Sequence, residues 1–170
     1  MKRRYTSGDY RRIVESVRRR VPRIEFSTDF IVGFPGESEA DFEETLALAA
    51  DVRFASMFAF LYSRRPGTAA ARWGDRDEVA REVASARLER LFELQRSIQR
   101  EDNRRFEGSD VEVLIDGESN EGLAWTGRTA CNRVVHIDKG SARGAGPGAF
   151  VRARIQRALD HSLIAAPAGG

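Results

Sequence analysis

Phe26 to Glu37 reads F-S-T-D-F-I-V-G-F-P-G-E, an apolar strand that runs directly into a turn shaped by Gly33, Pro35 and Gly36. Glycine enters left-handed backbone without steric cost, and proline fixes its own φ and removes a donor, so the strand must stop here. In parallel α/β folds, ligands and reacting groups gather beyond the carboxyl ends of the strands. This turn therefore marks the edge of the molecule on which a site is to be sought.

The surrounding residues complete a small unit. Tyr10, Ile13, Val14, Val17 and Val21 share one helical face, preceded by Thr6 and Asp9 at capping-box spacing. Ile24 to Val32 reads as a buried strand. Ser38 and Asp41 cap a second helix carrying Phe42, Leu46 and Ala49, and Phe54 to Tyr62 reads as a second strand. Strand, helix, strand over this length is a βαβ unit with parallel strands and a right-handed crossover, which puts the turns after Val32 and Tyr62 at the same edge. Beyond Pro66 and Gly67 a long helix is predicted from about Asp77 to Arg105, with Val79, Val83, Ala86, Leu91, Leu94 and Ile98 on one side. A two-stranded parallel sheet leaves one face and one edge uncovered, so this unit is expected to pack on further strands or to expose apolar surface.

After Gly108 the pattern changes to short β-rich runs: Val111 to Ile115, Gly122 to Thr126, Val134 to Ile137 and Phe150 to Ala158. Strand-sized runs separated by Gly, Asn and Asp predict a small antiparallel barrel, with a glycine-rich loop from Gly140 to Gly148. The fold class expected is thus α/β plus all-β.

Composition narrows the function. With 170 residues, 41% of them hydrophobic, the chain can build an ordinary globular core. No run approaches the roughly 20 apolar residues that cross a bilayer, and the N-terminus has no apolar signal region, so a cytoplasmic protein with no membrane contact is expected. The one cysteine, Cys131, excludes an internal disulfide and cannot by itself hold a metal cluster. The net charge of +2 hides a segregation of sign. Lys2, Arg3, Arg4, Arg11, Arg12, Arg18, Arg19, Arg20 and Arg23 make the N-terminus basic, whereas Glu37, Glu39, Asp41, Glu43 and Glu44 make the second helix acidic. Glu107, Asp110, Glu112, Asp116, Glu118 and Glu121 likewise precede a basic tail with Arg128, Arg133, Lys139, Arg143, Arg152, Arg154 and Arg157. A basic patch on a small β domain is a footprint for nucleic acid, and a solvated arginine-rich surface is the plainer reading of the same residues.

Four segments together resemble one family. M-K-R-R-Y-T, S-T-D-F-I-V-G-F-P-G-E-S-E-A-D-F-E-E-T-L, F-A-F-L-Y-S-R-R-P-G-T-A-A-A and L-A-W-T-G-R-T-A-C-N-R-V-V-H-I, in this order and spacing, are similar to the radical S-adenosylmethionine methylthiotransferases. The resemblance implies the C-terminal part of a radical-SAM partial (β/α) barrel over residues 1–106, an RNA-binding TRAM β-barrel over 107–164 and a disordered tail over 165–170. It also implies a fragment, a split gene or a misplaced start, because the position matching Met1 is internal in the family. Family members use S-adenosylmethionine and two 4Fe-4S clusters whose cysteine ligands lie in segments with no counterpart here. No catalytic residue and no metal ligand is therefore assigned, and this chain by itself is expected to be inactive. G-R-T-A-C-N-R-V-V resembles the branch that adds a methylthio group to isopentenylated adenosine next to the tRNA anticodon. The sister branch, acting on a ribosomal-protein aspartate, and a non-catalytic tRNA-binding relic are the alternatives. The partners implied are tRNA and the missing N-terminal part of the same protein.

Carried over residue by residue, the resemblance assigns Val32, Gly33, Phe34 and Pro35 to support of the cofactor's adenine; by the βαβ argument Tyr62, Ser63, Arg65, Gly67 and Thr68 face the same cavity, where Arg65 would pair with a carboxylate or a phosphate. Arg64 stands where the family usually has proline. Arg128, Thr129, Asn132 and Arg133 are expected to bind RNA phosphate or sugar. Glu37 either meets the cofactor or favours the dipole of the helix it precedes. Asp29, inside a strand expected to be buried, needs a partner. Trp125 reads as core or as a stacking surface, Cys131 as a plain thiol, and His136 and His161 as structural.

Overall fold

In a computed structural model, which describes residues 4–73 and 77–168, the chain forms two compact units, Met1–Ile98 and Gln99–Gly170. The boundary falls inside one long helix rather than after it. No helix among the described residues is long and apolar enough to cross a membrane.

The first unit runs α1 (Ser7–Arg20), β1 (Ser27–Val32), α2 (Glu39–Val52), β2 (Ser56–Leu61), a 3-10 turn (Ala70–Arg72) and α3 (Arg81–Arg104), whose last residues belong to the second unit. Both predicted capping boxes form. Thr6 and Asp9 close the start of α1, and Ser38 and Asp41 that of α2, so two orphan donors are satisfied at each helix entry. The strands are parallel and in register from Ser27 opposite Ser56 to Val32 opposite Leu61. The Tyr62 amide donates to the Val32 carbonyl at 2.8 Å, so both chain ends leave the sheet at the same edge, as the βαβ argument requires.

Only one face of this sheet is covered. Val32, Met57 and Ala59 join Val14, Phe42, Ala49, Val52, Phe54 and Leu91 in the core. The other face carries Asp29 and Ile31 opposite Phe58 and Phe60, and these side chains are exposed, Phe58 to 59% and Phe60 to 56%. The expectation of a fully buried β1 is thereby corrected, and Asp29 lies in solvent with no burial to compensate. On α1, Val14 is buried while Ile13 and Val21 remain about half exposed.

The buried stripe of α3 within this unit is Ala84, Arg87, Leu91, Gln95 and Ile98, at helical spacing. Val83, expected on the inner face, is exposed. Two polar residues occupy buried positions because each has a fixed partner. Gln95 Nε2 donates to the Phe54 carbonyl at 2.8 Å, and Arg87 reaches Glu37.

The second unit is a closed barrel of β3 (Asp110–Glu118), β4 (Ala124–Thr129), β5 (Val134–Asp138), β6 (Phe150–Ala158) and β7 (Leu163–Pro167), in the order β3-β4-β5-β7-β6. Val113, Ile115, Val135, Ile137, Ala153, Ile155, Leu163 and Ala165 fill it. Four pairings are antiparallel, but β5 and β7 are parallel, which the expectation of an antiparallel barrel missed together with β7 itself. The short run L-I-A-A-P offers little bulk, yet Leu163 and Ala165 are buried, so Ala165 to Pro167 belong to a strand rather than to a disordered tail. Gly127 lets β3 and β4 cross closely: a Cβ there would lie 2.3 Å from the Leu114 carbonyl oxygen.

Candidate functional site

The turn after β1 is held from three directions. Gly33 has φ +74°, and a Cβ on it would sit 2.6 Å from that of Ala84 on α3, so the position needs glycine both for its conformation and for packing. Its amide donates to Glu37 Oε2 at 2.8 Å, and the Glu37 amide donates to the Phe34 carbonyl at 2.8 Å, closing a tight reversal. Gly36, at φ +84°, donates its amide to the Asp77 carbonyl at 2.7 Å. Glu37 thus neither faces a ligand cavity nor merely favours a helix dipole. Its carboxylate is almost fully covered and is shared between Gly33 and Arg87, whose Nη1 lies 2.9 Å away.

The turn after β2 follows the dihedral demands of its residues. Pro66 and Gly67, the latter at φ +82°, form the middle of a turn closed by the Thr68 amide on the Arg65 carbonyl at 3.3 Å. The Thr68 hydroxyl donates to the same carbonyl at 2.8 Å and accepts from the Ala71 amide at 3.2 Å, which starts the 3-10 turn. Arg64, in the place of the family's proline, lies 3.9 Å from Glu78.

Between these turns lies a cavity of about 650 Å³. Its walls are Ile31, Phe34, Phe60, Leu61, Tyr62 and Trp73, with Ser63, Arg65, Thr68, Ala69 and Ala70 completing the lining. Phe34 stands edge-on to Tyr62 at 5.1 Å and to Trp73 at 5.7 Å, so three rings form one corner. The Tyr62 hydroxyl is buried and, among the described residues, has no hydrogen-bond partner. An apolar aromatic cavity with a guanidinium on its lining is suited to a flat heteroaromatic group joined to an anionic one.

Of the six residues assigned to the cofactor, Phe34, Tyr62 and Arg65 line this cavity. Val32 does not, because it is 1% exposed and packed in the core. Gly33 and Pro35 do not line it either; Gly33 serves by shaping the turn. Ser63 and Thr68, expected at this cavity, line it and Gly67 does not; Trp73 also lines it, and was missed because it follows the second strand by more than ten residues with no motif around it.

In the barrel, the four residues assigned to RNA surround the β4–β5 hairpin. The Asn132 amide donates to the Thr129 carbonyl at 2.8 Å, Asn132 takes φ +64°, and the Thr129 amide donates to the Arg133 carbonyl at 3.0 Å. This is a three-residue hairpin loop that needs a left-handed residue at its third position, a place asparagine tolerates. Thr129 is buried, and its hydroxyl accepts the Arg133 amide and contacts Cys131 Sγ, so it is a turn residue and is not presented at the surface. The Arg133 guanidinium lies over the Phe106 ring at 4.9 Å and donates to Asn103, which in turn donates to the Leu159 carbonyl at 2.8 Å. Arg133 is therefore committed to the fold of this unit. Arg128 remains half exposed, held by Asp116 at 3.1 Å and by Asn132 Oδ1 at 3.1 Å. Of the four, Arg128 and Asn132 are exposed, Arg133 is partly buried and Thr129 is buried.

The basic and acidic runs that are separate in sequence meet in space. Arg152 and Arg154 on β6 both lie 3.3 Å from Asp110 on β3, Arg128 on β4 pairs with Asp116, and Lys139 lies 2.7 Å from Glu118. At these positions carboxylates are interleaved with the basic side chains, Asp110 being shared by two arginines. Trp125 packs against the barrel core with Lys139 Nζ 4.5 Å from its ring centroid. His136 Nδ1 is 3.1 Å from the Thr126 hydroxyl and His161 Nδ1 is 3.2 Å from Gln99 Oε1. No cluster of metal-ligating side chains occurs among the described residues.

Residues 104–167 match the TRAM domain. Over 97% of its length the chain is 43% identical to the tRNA-2-methylthio-N(6)-dimethylallyladenosine synthase of Thermobifida fusca (strain YX), covering 34% of that protein. The protein of the same name from Tropheryma whipplei (strain Twist) is 42% identical over 96% of the chain, and that from Anaeromyxobacter sp. (strain Fw109-5) is 48% identical over 99%; the chain covers 35% and 37% of them. The chain spans about a third of the length of the curated relatives it matches. Over nearly its whole length the chain is thus similar to about a third of the tRNA-2-methylthio-N(6)-dimethylallyladenosine synthases, and its residues 104–167 match the TRAM domain.

Proposed function

We propose that this chain is the C-terminal portion of a tRNA methylthiotransferase. In this reading the first unit contributes the end of a radical-SAM partial barrel and the wall that receives the adenosyl part of S-adenosylmethionine, and the barrel grips tRNA. The observation that supports it most is the convergence of Phe34, Tyr62 and Arg65 from two parallel strand ends on one aromatic cavity. The cavity suits the cofactor: its rings offer apolar surface to a purine, and Arg65 suits the methionine carboxylate.

When bound, S-adenosylmethionine supplies a methyl group and a radical precursor. This chain's residues orient and desolvate. Phe34 and Trp73 exclude water from one side of the cavity, and the clamped Gly33–Glu37 turn holds Phe34 in place. The iron–sulfur clusters do not fit here, since Cys131 is the chain's one thiol and is turned toward Thr129; no step of the chemistry is assigned to this chain through a cluster.

The exposed Ile31, Phe58 and Phe60 suit a sheet that continues into further strands of a longer protein. On the barrel, Arg128 and Asn132 are the candidates for RNA phosphate contact. Binding of the full chain to unmodified tRNA at low salt is the test. The expected result is saturable binding that Arg128→Ala weakens; no binding at low salt would overturn the assignment of the barrel.

A further inference from the structure

We infer that Arg87 is a positioning residue for the cavity, acting through Glu37 on the turn that carries Phe34; the inference rests on the adenosyl-binding reading above.

Arg87 lies on the buried stripe of α3 at 6% exposure and is not a bystander there. Its Nη1 donates to Glu37 Oε2 at 2.9 Å and to the Glu37 carbonyl at 3.1 Å, and its Nε donates to Glu39 Oε2 at 3.1 Å. The guanidinium carbon lies 5.6 Å from the centroid of the buried Phe42 ring. Arginine alone among the cations has a planar fork that can hold a carboxylate and a neighbouring carbonyl at once. The oxygen of Glu37 that Arg87 holds is the one that accepts the Gly33 amide at 2.8 Å. A single carboxylate therefore ties helix α3 to the residue next to Phe34. Glu37 would keep its charge buried without a counter-ion if Arg87 were lost, and would then turn toward solvent and release Gly33.

A buried ion pair that only fastened α3 to α2 would make a different prediction, so the two roles can be separated. Three variants are compared with the full wild-type chain: Arg87→Met, Glu37→Gln and the double variant. They are read by the Gly33 amide resonance, by Trp73 emission in a Trp125→Phe background, and by titration with S-adenosylhomocysteine. The expected result is that Arg87→Met moves the Gly33 amide upfield, shifts Trp73 emission and weakens the ligand by about tenfold or more. If Arg87 acts through Glu37, the double variant is no worse than Glu37→Gln, because the two changes remove one interaction. Arg87→Lys, which keeps a cation but loses the fork, falls between wild type and Arg87→Met. The inference is overturned if Arg87→Met lowers the denaturation midpoint while the Gly33 amide, Trp73 emission and affinity stay as in wild type. It is equally overturned if the double variant loses the sum of the single losses. Should Arg87→Met not fold, Glu37→Gln and the double variant decide by the same comparison. A wild-type chain that does not bind the ligand contradicts the adenosyl-binding reading, and the Gly33 and Trp73 signals still decide the role of Arg87.

Discussion

Two glycines and one tyrosine make the sharpest tests at the scale of single residues. Gly33→Ala must place a methyl group 2.6 Å from the Ala84 Cβ in a left-handed backbone, and should cost about 2 kcal/mol or more in a denaturant titration. Gly127→Ala meets the Leu114 carbonyl oxygen at 2.3 Å and should cost a comparable amount, about 2 kcal/mol, in the barrel transition. An unchanged midpoint in either variant would mean that the backbone there moves freely. Tyr62→Phe behaves differently, because its hydroxyl is buried without a partner among the described residues. Removing it should leave stability within about 1 kcal/mol of wild type or raise it. A clear loss of stability would point to a partner inside the fold.

The helices obey local rules that can be read from sequence, and their polar contacts do not. Thr6–Asp9 and Ser38–Asp41 were legible because capping depends on three-residue spacing alone. The Thr6 amide, then its hydroxyl, then Arg12 hold the Asp9 carboxyl down to about 2, from an ordinary 3.8, and the Ser38 hydroxyl and amide lower Asp41 in the same direction. Both folded-state values are depressed, so this stabilisation is full above the ordinary carboxylate range and is lost as pH falls toward about 2. Thermal melts should therefore be flat near neutrality and fall below about pH 4, and Asp9→Asn should reduce that acid-side dependence. An Asp9→Asn chain with an unaltered acid limb would contradict this assignment. Helix α3 shows what hydrophobicity hides: Arg87 and the Gln95 amide nitrogen on the buried stripe bond to partners more than forty residues away, and nothing near them in sequence announces those partners. The same holds for β7, where L-I-A-A-P has little bulk but pairs with both β5 and β6. Thr129 was misread for the converse reason, since G-R-T-A-C-N-R carries surface-type residues whose turn chemistry draws the threonine inward.

For the molecule as a whole, the order of elements, the parallel βαβ unit and the change to a β-barrel followed from periodicity and turn residues. The uncovered sheet face followed from counting strands. Charge did not transfer in this way, because a barrel brings distant strands together, and Asp116 and Asp110 of β3 pair with one arginine of β4 and two of β6. Binding of tRNA should accordingly show a shallow salt dependence, with a slope of log K against log salt no steeper than about −3. A slope near −6 would mean that these ion pairs open on RNA. Arg133→Ala should act mainly by destabilising the barrel, since its guanidinium is used by Phe106 and Asn103, whereas Arg128→Ala should weaken RNA with little change in stability.

The central claim, that this chain does the work of the matching third of a tRNA methylthiotransferase, is tested most directly by exchange. In a chimera, this chain replaces the segment it matches in the Thermobifida fusca relative, and nucleosides from treated tRNA are weighed by mass spectrometry. The account predicts that the chimera forms the 2-methylthio nucleoside and that Phe34→Ala in the exchanged segment abolishes it. A folded, cluster-loaded chimera that leaves the nucleoside unmodified would contradict the account.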